Sequence, residues 1–114
     1  MKITVLGLWH LGCVTAACCA RHFQVTGLDP DATNVAALRR GKAPLFEPGL
    51  DDLIRHGLDA GRLAFTSDAA AACAGADILW VTYDTPVNED DVADVETVLR
   101  EVRRCVPFLP AGAL

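Results

Sequence analysis

The chain has 114 residues, the size of one domain, and its 52% hydrophobic content is enough for a core. Charged residues make up 22% and the net charge is −5, with no basic stripe, which excludes nucleic acid as a partner. The same balance leaves room for an anionic ligand held by backbone N–H groups at a helix N-terminus.

Along the chain, Lys2–Leu6 is rich in β-formers and reads as a buried strand ending at Gly7. Leu11–His22 reads as a helix. Its small residues Gly12, Ala16 and Cys19 recur on one face, where they let a helix sit tightly on a sheet. Gln24–Leu28 is a second strand ending at Asp29, and Pro30–Arg40 a second helix stopped by Gly41. Lys42–Pro48 is a loop with two prolines. Gly49–Ala60 is a third helix with Leu50, Leu53, Ile54 and Leu58 on one stripe. Arg62–Thr66 is a third strand, and Ser67 is placed to cap a helix over Asp68–Ala74. Asp77–Thr82 is nearly all apolar, as a strand covered on both faces must be. After a polar loop, Tyr83–Val92, Asp94–Cys105 is a last helix with Val95, Val98, Leu99 and Val102 on its apolar stripe. The alternation implies βαβ units and a parallel sheet: an α/β, Rossmann-like, doubly wound domain over residues 1–114, with flavodoxin-like topology as the competitor. Pro107–Leu114 carries turn signals and reads as the approach to a further strand, so the expected domain is incomplete at its C-terminal end.

No apolar stretch is long enough to span a membrane, since Leu11–Ala20 runs straight into Arg21 and His22. Met1–Ala20, broken by Trp9, His10 and two glycines, is not a signal peptide, and the expected location is cytoplasmic. The five cysteines, Cys13, Cys18, Cys19, Cys73 and Cys105, are odd in number and lack a C-x-x-C pair. They read as small buried apolar residues rather than disulfides or zinc ligands. His22 and His56 read as surface residues.

The segment "VLGLWHLG" (Val5–Gly12) has the form of a dinucleotide-binding loop, G-x-G-x-x-G, with Gly7 and Gly12 at the first and third positions and Trp9 at the second. The second position is ordinarily glycine because the backbone comes close to a pyrophosphate. Asp29, 17 residues after Gly12, stands where a carboxylate accepts hydrogen bonds from an adenosine ribose and repels a 2′-phosphate, favouring NAD over NADP. The alternative reading of Asp29 is a cap for the helix that starts at Pro30–Asp31. His10 is a candidate phosphate donor, with a partly exposed loop histidine as the alternative.

"MKITVLGLWHLGCVTAACCA", "VTGLDPD", "FEPGL" and "DTPVNEDDVADV" together resemble the N-terminal NAD-binding domain of the UDP-glucose/GDP-mannose dehydrogenases, over nearly the whole chain. That family oxidises a nucleotide sugar at C6 to the uronic acid with two NAD per turnover, through a thiohemiacetal and thioester on one cysteine. The resemblance implies that Gly7, Leu11 and Gly12 line the pyrophosphate, Asp29 holds the adenosine ribose, Thr85 contacts the cofactor and Leu45–Leu50 lies toward the active-site side. Three residues depart from the pattern: Trp9, Asn34 where a basic residue is common near the adenosine, and Asp84 where a small residue or proline is usual before Thr85–Pro86. All three point to weakened or altered NAD binding. A bond from the Trp9 indole N–H to Asp84, closing the pyrophosphate site, is a specific expectation.

By the same resemblance, the family's nucleophilic cysteine and its lysine and asparagine lie in later domains, and none of the five cysteines here fits the nucleophile. The expected function is thus the NAD-binding portion of a nucleotide-sugar 6-dehydrogenase, inactive as an isolated fragment, with no catalytic residue in this chain. Its substrate is a UDP- or GDP-sugar in the full-length protein, and the family's habit of dimerising leaves a homodimer open. A repurposed nucleotide-binding module and an interaction domain that uses a free sheet edge are the alternatives.

Overall fold

Four runs of β-branched and aliphatic residues pair side by side, and the helices between them return the chain to start each strand in the same direction. In the computed structural model, which describes residues 1–114, the order is β1 (Lys2–Leu6), α1 (His10–Cys19), β2 (Gln24–Leu28), α2 (Ala32–Arg39), α3 (Leu50–Asp59), β3 (Leu63–Thr66), α4 (Ala69–Cys73), β4 (Ile78–Val81) and α5 (Val95–Cys105). All pairings are parallel: Ile3 lies opposite Val25 on one side and Ile78 on the other, and Val25 lies opposite Leu63. The strand order is β3-β2-β1-β4. A flavodoxin-like sheet would place β3 beside β1, so the observed order selects the Rossmann arrangement. The winding reverses between β1 and β4, and ligands of such sheets bind in the crevice outside the carboxyl ends of the strands at that point.

Strand alternation divides the core. Ile3, Val5, Val25, Leu63 and Phe65 pack with Cys13, Ala16 and Ala17 of α1 and Ile54 of α3. Leu6 and Leu28 face the other way, against Ala72 and Cys73 of α4 and Cys105 of α5. Thr4 shares this second face, and its hydroxyl donates to Ala72 O at 2.6 Å, which satisfies a polar group with no solvent exposure. Cys13, Cys73 and Cys105 are therefore buried apolar residues as expected, but Cys19 is half-buried and Cys18 exposed; all five are free. His22 and His56 are exposed.

Several local expectations are corrected. The cap of α4 is Asp68, not Ser67: its Oδ1 accepts from the N–H groups of Ala70 (3.0 Å) and Ala71 (3.3 Å). Helix α1 stops at Cys19 rather than His22, because Arg21 and His22 N–H groups turn back to Cys18 O and Cys19 O. The stripe of α5 is rotated from the one read in the sequence. Val95 and Leu99 stay exposed, whereas Glu101 and Cys105 are buried beside half-buried Val98 and Val102. Glu101 is admitted because Arg104 (2.8 Å) and Arg100 (3.7 Å) pair with its carboxylate. Pro107–Leu114 forms a 3-10 turn over Val106–Phe108 and then brings Leu114 beside β4. There Leu114 N–H donates to Asp77 O at 2.9 Å and Leu79 N–H to Leu114 O at 2.8 Å, the bond pattern of a parallel neighbour on the outer edge of β4.

Candidate functional site

The turn from β1 into α1 is built from two glycines and the end of β4. Gly7 has φ +97°, a left-handed conformation that glycine adopts without strain, and its N–H donates to Leu28 O at 2.9 Å. At Gly12 a Cβ would lie 1.7 Å from Gly7 O and 2.8 Å from Thr82 Oγ1, so only glycine lets α1 approach the strand this closely. Thr82, buried just past β4, ties the turn down: its hydroxyl donates to Gly7 O at 2.7 Å and its N–H to Leu6 O at 2.8 Å. The Tyr83 ring lies against Gly7, where an added Cβ would meet Tyr83 Cγ at 3.2 Å. Sequence reasoning did not find Thr82 or Tyr83; their roles come from the β1–β4 pairing.

Trp9 precedes α1 with φ −86° and ψ −153°, ordinary extended backbone. The second position of the loop thus makes no conformational demand for glycine. No side chain caps α1, and no acidic residue lies in its first turn. Its first N–H groups have no intrahelical partner either, and with the partial positive charge of the helix dipole they suit a phosphate anion.

Leu8 is clamped through both of its peptide groups. Its N–H donates to Asp29 Oδ2 at 2.7 Å, and its carbonyl accepts from Asn34 Nδ2 at 2.7 Å. Asp29 Oδ1 accepts from Asp31 N–H at 2.9 Å, while Asp31 Oδ1 accepts from Thr33 N–H (3.0 Å) and Asn34 N–H (3.1 Å). The cap of α2 is therefore Asp31, and Asp29 shapes the turn before it. Each Asp29 oxygen uses one acceptor position internally and retains another. Beside this carboxylate, at the carboxyl ends of β1 and β2, opens a cleft of about 390 Å³ walled by Leu8, Trp9, Asp29, Asp31, Asn34 and Pro44, with no lysine or arginine in its lining. A cleft of the same volume at the opposite sheet edge, between the starts of β1, β2 and β3, lies away from every helix N-terminus that follows a strand.

His10 is the first residue of α1, and its Nε2 lies 2.7 Å from Glu47 Oε2, leaving Nδ1 buried without a partner. That contact sets the Leu45–Leu50 segment against the start of α1, at the same end of the sheet as the cleft. The loop pattern points to His10 but carries no signal for Glu47. Leu11 is 54% exposed on the first turn of α1. Asp84 and Thr85 are exposed in the loop after β4. The expected bond between the Trp9 indole N–H and Asp84 is not formed; the indole is half-exposed and neither side chain has a hydrogen-bond partner. Trp9 lines the cleft beside Asp29 and Asn34, and Asp84 is not part of that lining.

Burial sets the titration of the core groups near the loop. The Cys13 thiol is pushed up to about 12, first by burial and then by the Asp29 and Asp51 carboxylates. Cys105 is likewise pushed up to about 12, by burial and then by Cys73. Burial raises the Tyr83 phenol too, with Asp29 and Glu101 adding to the effect.

A parallel sheet with this strand order, a glycine turn opening into an uncapped helix, and a carboxylate at the end of β2 define a dinucleotide-binding domain of Rossmann type. The chain matches the UDP-glucose/GDP-mannose dehydrogenase family, NAD binding domain, over residues 1–114, and it belongs to that family. It is 43% identical over 100 residues to the UDP-glucose 6-dehydrogenase of Pseudomonas aeruginosa, covering 87% of this chain and 22% of that protein. The GDP-mannose 6-dehydrogenase of the same organism is 36% identical over 106 residues, covering 90% and 24%. Among solved structures, a ternary complex of GDP-mannose dehydrogenase from Pseudomonas aeruginosa superposes with a TM-score of 0.84 at 34% identity, covering 93% of this chain and 25% of that one. A UDP-D-ManNAc dehydrogenase from Pyrococcus horikoshii gives 0.92 at 29% identity, covering 100% and 27%. The chain thus spans about a quarter of the length of the relatives it matches. No helix is long and apolar enough to cross a membrane.

Proposed function

We propose that the chain is the NAD-binding portion of a nucleotide-sugar 6-dehydrogenase acting on a UDP- or GDP-sugar. The observation that carries this reading is the clamp of Leu8 by Asp29 and Asn34, which holds the glycine turn beside a carboxylate with acceptor capacity to spare. In this reading Asp29 receives the adenosine 2′- and 3′-hydroxyls, and the N–H groups at His10, Leu11 and Gly12 receive the pyrophosphate. Thr85 borders the cofactor beyond β4. NAD supplies the hydride acceptor when bound. The residues here hold and orient it and leave the sugar chemistry to other parts of the protein.

The isolated chain is inactive in this account. Of its cysteines, Cys13 and Cys105 are held as thiols by burial. Cys18, the exposed one, lies eight residues along α1 from His10, about 12 Å from the cofactor end. Trp9 and Asp84 alter NAD binding: Trp9 puts a bulky side chain where glycine allows close backbone approach, and Asp84 adds negative charge at the pyrophosphate end. A cytoplasmic setting belongs to the same reading, since free thiols persist there. Dimerisation, as in the resemblance, would be a property of the whole enzyme.

The second reading, a repurposed nucleotide-binding or interaction module, rests on Trp9 and Asp84 occupying two positions of the cofactor loop region. A chimera separates the two. Residues 1–114 replace the equivalent segment of the Pseudomonas aeruginosa UDP-glucose 6-dehydrogenase, and NADH formation from UDP-glucose is measured. Turnover supports the dehydrogenase reading; a folded chimera that forms no NADH overturns it. NADH formation by the 114-residue chain alone would overturn its inactivity.

A further inference from the structure

Trp9 is a large apolar side chain left 49% exposed at the mouth of a cleft, on a backbone that needs no special residue. Its position is not loose. Leu8, immediately before it, is held at its N–H by Asp29 and at its carbonyl by Asn34, and the Cys13 thiol also reaches that carbonyl at 3.5 Å. Helix α1 starts immediately after it, with Cys13 N–H bonded to Trp9 O at 3.0 Å. The indole is therefore carried on a fixed stem.

The rest of the cleft is chemically one-sided. Asp29 and Asp31 supply carboxylate oxygens, the uncharged Thr33 and Asn34 are the other polar residues, and no basic residue lines it. Those groups suit a vicinal diol and reject a phosphate. Trp9 and Pro44 supply apolar surface beside them. A diol next to a flat aromatic ring is the chemistry of a nucleoside: sugar hydroxyls on one side, base on the other.

We propose that Trp9 is a wall of the nucleoside subsite, its indole stacking on the adenosine end of the dinucleotide. The inference rests on the NAD reading above and changes what the loop does within it. The loop gives up the close backbone approach to the pyrophosphate and gains an aromatic face for the nucleoside. Binding energy moves from the phosphates toward the adenosine end, and selectivity against a 2′-phosphorylated adenosine rises, because the ring fixes the ribose against Asp29.

The test is calorimetry with ADP-ribose and AMP on the parent, Trp9→Phe and Trp9→Gly. It is paired with tryptophan fluorescence, excited at the red edge where tyrosine does not absorb, in a Trp80→Phe background, which leaves Trp9 as the sole tryptophan. Stacking of a base on an aromatic side chain contributes from about fivefold to a hundredfold in affinity. Trp9→Gly should therefore weaken both ligands by about tenfold or more, Trp9→Phe should retain most of the affinity, and both ligands should quench Trp9 emission. Urea unfolding of each variant shows whether a loss of binding reflects a loss of fold, and Trp9→Phe with the fluorescence readout decides the matter if Trp9→Gly does not fold. Equal or tighter binding by Trp9→Gly, including binding that appears only in that variant, makes Trp9 an obstruction and overturns the inference while leaving the NAD reading standing. ADP-ribose binding to none of the three folded proteins overturns the NAD reading, and this inference with it.

Discussion

Gly12→Ala is the substitution that most sharply tests how the loop is built. A methyl group there would sit 1.7 Å from Gly7 O, against 3.4 Å for an ordinary contact, so α1 would have to retreat by about 1.7 Å. The atoms it meets are the backbone of Gly7 and the Thr82 hydroxyl, itself bonded to Gly7 O, and neither is the free end of a flexible chain. Retreat would open the contact of Cys13, Ala16 and Ala17 with β1 and β2. Overpacking of a tight core costs about 1–3 kcal/mol or more. At the upper end of that range the cost is about 3 kcal/mol; alanine recovers about 1 kcal/mol of helix propensity, and burial lost at the opened contact cancels about as much, leaving a net destabilisation of about 3 kcal/mol. Urea unfolding followed by circular dichroism should show a midpoint lower by about 2 M at unchanged slope for a domain of this size. A variant as stable as the parent would show that the helix seat is adjustable and that the geometric reason for Gly12 is wrong.

Three further outcomes follow from named contacts. Thr82→Val keeps the shape but removes the hydroxyl that donates to Gly7 O, so it should cost about 1–2 kcal/mol in the same urea assay; a change within error would mean that the bond contributes nothing to holding the turn. Brief alkylation of the native protein, read by mass spectrometry, should modify Cys18 first and Cys19 slowly. Cys13 and Cys105, buried and held as thiols at neutral pH, should react only after unfolding, and early labelling of either would contradict the packing. The Thr97 hydroxyl and N–H hold the Asp94 carboxyl below its ordinary value, so its support of α5 is complete above a pH of about 4 and is lost as pH falls through the depressed folded value. Amide exchange at the start of α5 should then distinguish Asp94→Ala from the parent at neutral pH but not near pH 2, and a difference that persists in acid would refute the cap.

The strands were legible from their apolar runs, and β1 and β2 have the bounds that pattern implies, but the run at β4 does not mean cover on both faces: Trp80 and Val81 stay exposed there. Helix ends were less legible, since Ser67 and Asp68 are both good caps and only the backbone path decides between them. The inward face of α5 was misread because Glu101 looks like a surface residue until Arg104 and Arg100 are seen to pair with it. At the site, Gly7, Gly12 and Asp29 announced themselves through spacing. Thr82, Tyr83 and Glu47 did not, because each reaches the loop through a long-range contact that no local pattern records. Trp9 was visible as a departure, but its place in the wall of the cleft beside Asp29 and Asn34 is a property of the folded loop.

The central claim is that the Asp29 carboxylate and the glycine turn form a site for NAD. Calorimetric titration of the chain with NAD and, in parallel, NADP tests it most directly. The account predicts saturable one-to-one binding of NAD and at least tenfold weaker binding of NADP, because Asp29 and Asp31 repel a 2′-phosphate and no basic residue in the cleft offsets them. Equal affinity for the two, or no heat with either from a folded chain, would contradict it.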